Sequence, residues 1–145
     1  MLSRQASHAL KALLELAHRP LQWQSTHELA TAQQLPEPML EQLLLRLRRA
    51  GLLTARRGRL GGFRLARPAA EISVAAVLAG LGDNLSSVDP ASPPDSPADR
   101  VTAALAWRLE RVRRKALEEL SLEDLLFDLR SAEASTNDHT GLLLG

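Results

Sequence analysis

The sequence contains no cysteine and no tyrosine. The first absence excludes disulfides, thiol redox chemistry and cysteine-ligated metal clusters within the chain. Aromatic residues make up only 3% of it, against 45% hydrophobic residues overall. The core must therefore come mostly from Leu and Ala. Leu/Ala richness with few β-branched residues points to helices. The histidines, His8, His18, His27 and His139, are scattered, and none has a metal-ligand spacing. Long apolar runs are also missing. The N-terminal stretch carries Arg4, His8, Lys11 and Glu15, which break a signal-peptide pattern, and no stretch is long enough to span a membrane. The expected compartment is the cytoplasm.

At 145 residues the chain suits one domain, or one domain with an appendage. Its formal net charge of +1 hides a strong asymmetry. Gln42 to Ala70 holds eight arginines and no acid, whereas Glu118 to Asp138 holds seven acids and one arginine. One face suited to an anionic partner follows from such a distribution, and a solvated arginine-rich surface is the plainer alternative.

Ser3 to about His18 has the apolar spacing of an amphipathic helix, stopped by Pro20. Ser25 with Glu28 forms a capping-box pattern that opens a second, short helix ending near Gln34. Pro36 to about Ala50 is a third helix, with Leu40, Leu43, Leu44 and Leu47 as its buried stripe and Gly51 as its stop. The period then shortens to two around "RRGRLGGFRLARP" (Arg56 to Pro68), which predicts a small hairpin with a glycine turn. Ser73 to Ala79 is a short capped helix, and Asn84 to Pro97 is a Pro-rich loop. Ala98 to Leu120 is the longest helix, with Val101, Leu105, Leu109, Val112 and Ala116 on an apolar stripe. That stripe either pairs with a second copy or folds back onto its own head. A further short helix starts at Ser121, and a frayed tail is expected from about Ser131.

The fold class expected is mainly α with a small β hairpin: a winged helix-turn-helix head followed by a long C-terminal dimerisation helix. The divisions are 1–83 for the head, 84–97 for the loop, 98–130 for the dimerisation helices and 131–145 for the tail. The head fits DNA, because a helix has the right width for the major groove and arginines on a hairpin can reach phosphates or the electronegative minor groove. Enzymatic readings find no support. "GRLGGF" lacks the Gly-Lys-Ser/Thr ending of a Walker loop, no parallel βαβ unit surrounds it, and no Ser/His/Asp order or carboxylate pair stands out.

The strings "LSRQASHALKALLELA", "PMLEQLLLRLRRAGLL", "RRGRLGGFRLARPAAEIS" and "SLEDLL" resemble the Rrf2 family of bacterial transcriptional regulators, the group of IscR, NsrR, BadM and CymR. The resemblance runs from Leu2 to about Leu126. It implies a homodimer bound to double-stranded DNA at a palindromic operator, probed by two heads. By position it implies base reading by Glu41 and Gln42, a minor-groove role for Arg57, and backbone contacts at Ser3 and Gln5. Ser25, Pro38, Met39, Arg46, Arg49 and Arg59 complete the expected DNA-binding set. Arg48, Arg56 and Arg64 add phosphate-facing charge. Glu41 and Gln42 as solvated surface residues stay open beside this.

Two departures stand out. Met39 and Pro38 occupy positions where family members often carry an aromatic and a small polar residue, which implies a different operator. Many members also hold an iron–sulfur cluster through three cysteines between the short helix and the long one, plus a fourth ligand. With Trp107 as anchor, the last of these cysteines falls near Val101, and a histidine ligand of some members falls on Ala104. Neither ligates iron, so no cofactor and no metal are expected. The expected function is a cluster-free dimeric regulator, a repressor by occlusion, with an unidentified effector or protein partner. The alternative is a protein-interaction module that docks a partner enzyme on the same scaffold.

Overall fold

A computed structural model describes residues 2–82 and the backbone of 96–144, with side chains of the last helix to residue 137. Most of the Pro-rich loop, 84–95, lies outside the described residues, as does residue 145.

Helix α1 spans Arg4–His18, and its first turn is closed by the Ser3 hydroxyl, which accepts from the Ala6 amide at 3.1 Å. Its Ala6, Ala9, Leu13 and Leu16 are buried and form the spine of the core. Helix α2, Thr26–Gln33, carries the capping box read from the sequence, Ser25 and Glu28 each satisfying the other's amide. Gln34 ends α2 in the left-handed conformation (φ 54°), and the Leu35 amide returns to the Ala30 carbonyl at 2.9 Å. This residue makes the sharp turn into α3, Glu37–Arg49.

Helix α3 buries Leu40, Leu43, Leu44 and Leu47 against α1 and α2. It stops in a Schellman arrangement: the Leu52 amide donates to the Leu47 carbonyl and the Gly51 amide to the Arg48 carbonyl, both at 3.0 Å. Strands β1 (Leu53–Arg56) and β2 (Gly62–Leu65) pair antiparallel, with Ala55 opposite Phe63 and Arg56 opposite Gly62. Phe63 is buried and Leu65 packs against the core, as the period of two predicts. A 3-10 turn at Ala69–Glu71 leads to α4, Val74–Gly80, capped by Ser73.

Helix α5, Pro97–Glu119, is opened by a capping box of Ser96 and Asp99. It packs against α4, with Leu117 against the hydrophobic core, and Glu110 is buried on it. Its junction with α6 is clamped to the head: the Val74 amide donates to the Leu120 carbonyl (2.8 Å) and the Leu122 amide to the Ile72 carbonyl (2.9 Å).

Helix α6, Leu122–Leu144, corrects the frayed tail expected from Ser131, since the chain continues as helix to Leu144. Ser131, Ser135 and Thr136 weaken helix propensity in a sequence reading. Here the hydroxyls of Ser135 and Thr136 donate back to the carbonyls of Ser131 and Ala132, each at 3.0 Å, which satisfies them inside the helix.

Candidate nucleic-acid interface

The hydrophobic stripe of α3 fixes which of its faces turns outward. With Leu40, Leu43, Leu44 and Leu47 inside, the exposed side carries Pro38, Gln42, Arg46 and Arg49, with Arg48 beside them. Gln42 and these three arginines make no hydrogen bond or ion pair with the described residues. Met39 differs from expectation: it is half-buried and packs against the core, so it shapes the start of the helix rather than standing free on its outer face.

Glu41 is half-buried, and its Oε2 accepts a hydrogen bond from the hydroxyl of the buried Thr26. One oxygen of this carboxylate is thereby pinned to the first turn of α2. A second tie crosses the same turn. The His27 imidazole Nδ1 meets the Glu37 carboxylate at 3.0 Å, and both side chains are exposed. The hydrogen bond to Glu37, and then its negative charge, raise the His27 pKa above the usual 6.5. Sequence reasoning missed both ties. Their partners lie ten and fifteen residues apart across a turn, outside any helical spacing. The only signal was an acid, Glu37, on the first turn of α3 and a histidine, His27, on the first turn of α2.

The wing is fastened to the segment before α2. The Gln24 amide donates to the Phe63 carbonyl at 3.1 Å, and the Phe63 amide to the Gln24 carbonyl at 2.8 Å. This close approach explains the double glycine of "GRLGGF". A Cβ on Gly62 would sit 2.3 Å from the Gln24 carbonyl oxygen, and one on Gly61 would sit 2.0 Å from that of Arg56. The two glycines are thus required by packing as well as by the turn. Arg56, Arg57 and Arg59 are exposed around the turn and have no partner among the described residues.

Arg64 corrects its assignment as a phosphate-facing charge. Its guanidinium lies 4.8 Å from the centroid of the Trp23 ring and donates to the Leu21 carbonyl. It fastens the base of the wing to the loop after α1 and is spent as a structural clasp.

A recess of about 340 Å³ opens where α2, α3 and the wing meet, and it brings together Ser25, Glu41 and Arg59. Ser3 and Gln5 are exposed at the start of α1, where the Ser3 hydroxyl is the helix cap. On α5, Val101, Leu105, Leu109 and Val112 are 54–69% exposed, and Ala116 is exposed as well. The stripe does not fold back onto its own head.

A short helix, a tight turn, a second helix with an unpaired basic face and an arginine-tipped hairpin define a winged helix-turn-helix DNA-binding regulator. The profile of the Rrf2 family, described as "Iron-dependent Transcriptional regulator", matches residues 2–128, and the chain belongs to that family. It is 36% identical over 139 residues to a chain from Synechocystis sp. named as the HTH-type transcriptional regulator slr0846, covering 94% of this chain and 95% of that one. Among solved structures it resembles CymR, the global cysteine regulator of B. subtilis (TM-score 0.75, 29% identity, 87% of this chain and 95% of that chain). It also resembles T. potens IscR (TM-score 0.74, 28% identity, 91% and 90% covered).

The iron in the family description does not suit this donor set. The sequence offers no thiolate. Among the described residues no three His, Cys, Asp or Glu side chains cluster as metal ligands. No helix of the described residues is long and apolar enough to cross a membrane.

Proposed function

We propose that the protein is a homodimeric repressor that binds a palindromic operator without an iron–sulfur cluster. The exposed face of α3 lies in the major groove, where Gln42 and the free Glu41 oxygen read base edges. Such an oxygen accepts from a cytosine amine, and the Gln42 amide suits adenine. Arg46, Arg49 and Arg59 neutralise phosphates, and Arg57 enters the minor groove. Ser3, Gln5 and Ser25 hold the backbone, with Pro38 and Met39 setting the shape of the helix start. The stripe of Val101, Leu105, Leu109, Val112 and Ala116 pairs with its twofold mate, which places two heads about one helical turn, roughly 34 Å, apart.

The observation that carries this reading is the set of guanidiniums of Arg46, Arg48, Arg49, Arg56, Arg57 and Arg59 on α3 and the wing, unpaired among the described residues. Six cations without partners among the described residues, on adjoining elements, favour a polyanion over a docked enzyme. Selection of bound duplexes from a random library tests it. A motif with dyad symmetry, retained by a species of dimer mass in light scattering, is the expected result. Recovery of duplexes with no shared motif would remove the operator, and a monomer on the duplex would remove the palindrome.

A further inference from the structure

A second cavity lies where the chain leaving β2 meets the end of α1 and α6. It measures about 450 Å³ and is walled by the end of α1 (Ala17), the chain leaving β2 (Leu65 to Pro68) and α6 (Leu126, Arg130). That volume falls within the range of small-molecule sites, roughly 300–1,000 Å³. Ala17 and Leu126 are buried and Leu65 is half-buried, so the lining beneath the rim is apolar. Arg67 and Arg130 line the same cavity from two different elements, and neither guanidinium has an ion pair or hydrogen bond with the described residues. Glu123 is the one acid in the lining and is likewise unpaired.

We propose that this cavity binds a small monocarboxylate with a short apolar body. Two unpaired guanidinium forks match the planar geometry of one carboxylate, and charge-assisted bonds of this kind are about twice as strong as neutral ones. The apolar walls take the hydrocarbon part. Glu123 leaves a net charge of one positive unit in the lining, which suits a monoanion and opposes a dianion. Arg67 follows β2 directly and Arg130 belongs to α6, so one bound carboxylate ties the wing to the helix that continues from α5. Resting on the regulator reading above, this makes the cavity an effector site, because a ligand that holds the wing changes DNA affinity only through such differential contacts.

The test uses the full chain without DNA. Hexanoate and phenylacetate are titrated beside their neutral amides, with binding followed by calorimetry and by amide chemical shifts. At least one carboxylate saturates, with shifts at Ala66 to Ala70 and at Leu126. Its amide binds at least about tenfold more weakly, and Arg67→Gln and Arg130→Gln each weaken the carboxylate by about tenfold. Both arginines are exposed, so the variants keep the wild-type melting temperature. Saturation by neither carboxylate, equal binding of the amides, or indifference to both substitutions overturns the site. DNA binding is read separately: a chain that takes the carboxylate but binds no duplex overturns the regulator reading and leaves the site standing.

Discussion

Gly62 and Gln24 lie so close that a single methyl group on Gly62 would fall 2.3 Å from the Gln24 carbonyl oxygen. The paired hydrogen bonds between Gln24 and Phe63 depend on this approach, and they hold the wing beside the start of α2. Gly62 also has a φ of 146°, which L side chains rarely adopt. Gly62→Ala is expected to destabilise the protein by about 1–3 kcal/mol, with the wing displaced. Thermal unfolding measures the loss. Gel shifts of the folded variant should show DNA affinity falling further than stability requires.

The pair of His27 and Glu37 crosses the helix-turn-helix at its exposed rim. Glu37 raises the folded-state pKa of His27 above 6.5. The stabilisation from the protonated pair is therefore fully present below the unfolded pKa of His27 and is lost as pH rises through the folded one. Wild type and His27→Gln should differ most in melting temperature on the acid side of 6.5 and converge on the alkaline side. Glu37→Gln should bring the His27 pKa, followed by NMR, back toward 6.5. A His27 pKa unmoved by that substitution contradicts the pairing.

Glu110 is 4% exposed on α5, and its Oε1 has no hydrogen-bond partner among the described residues. A buried polar atom without a partner carries a desolvation cost of about 1–3 kcal/mol. Glu110→Leu places an apolar side chain of similar size at this buried position and removes that cost. Its urea midpoint should rise, by an amount equivalent to about 1 kcal/mol or more. A lowered midpoint would show that the carboxylate has a partner after all.

Much of this architecture was legible in the sequence, because the signals are local. Ser25 and Ser73 cap the helices they were expected to cap, and Leu40 to Leu47 turn inward at the expected spacing. The wing followed from the period of two and from its glycines. What escaped is tertiary. Gln34 takes the left-handed turn that sequence patterns assign to Gly or Asn, since the Leu35–Ala30 hydrogen bond and the helix packing fix it there. Arg64 looked like any other arginine of an acid-poor string until the fold placed Trp23 beneath it. Thr26 reads as an ordinary first-turn residue, and only the approach of α3 reveals its bond to Glu41. The cavity beside Arg67 and Arg130 is built from three segments, around Ala17, Leu65 to Ala70 and Glu123 to Arg130, and no spacing rule could have assembled it.

The central claim is that unpaired arginines on α3 and the wing engage DNA phosphates and the minor groove. The most direct measurement is duplex affinity against salt concentration, for wild type and for Arg46→Ala, Arg49→Ala, Arg57→Ala and Arg59→Ala. A protein neutralising 6–10 phosphates loses about 10³–10⁵ in affinity between 50 and 200 mM salt. The wild type should fall in that range. Each phosphate-contacting arginine removed should lower the slope of log affinity against log salt by about one. Arg57→Ala should in addition cost about 1–3 kcal/mol on the selected operator. An affinity nearly flat across this range, with slopes unchanged in all four variants, would contradict the account.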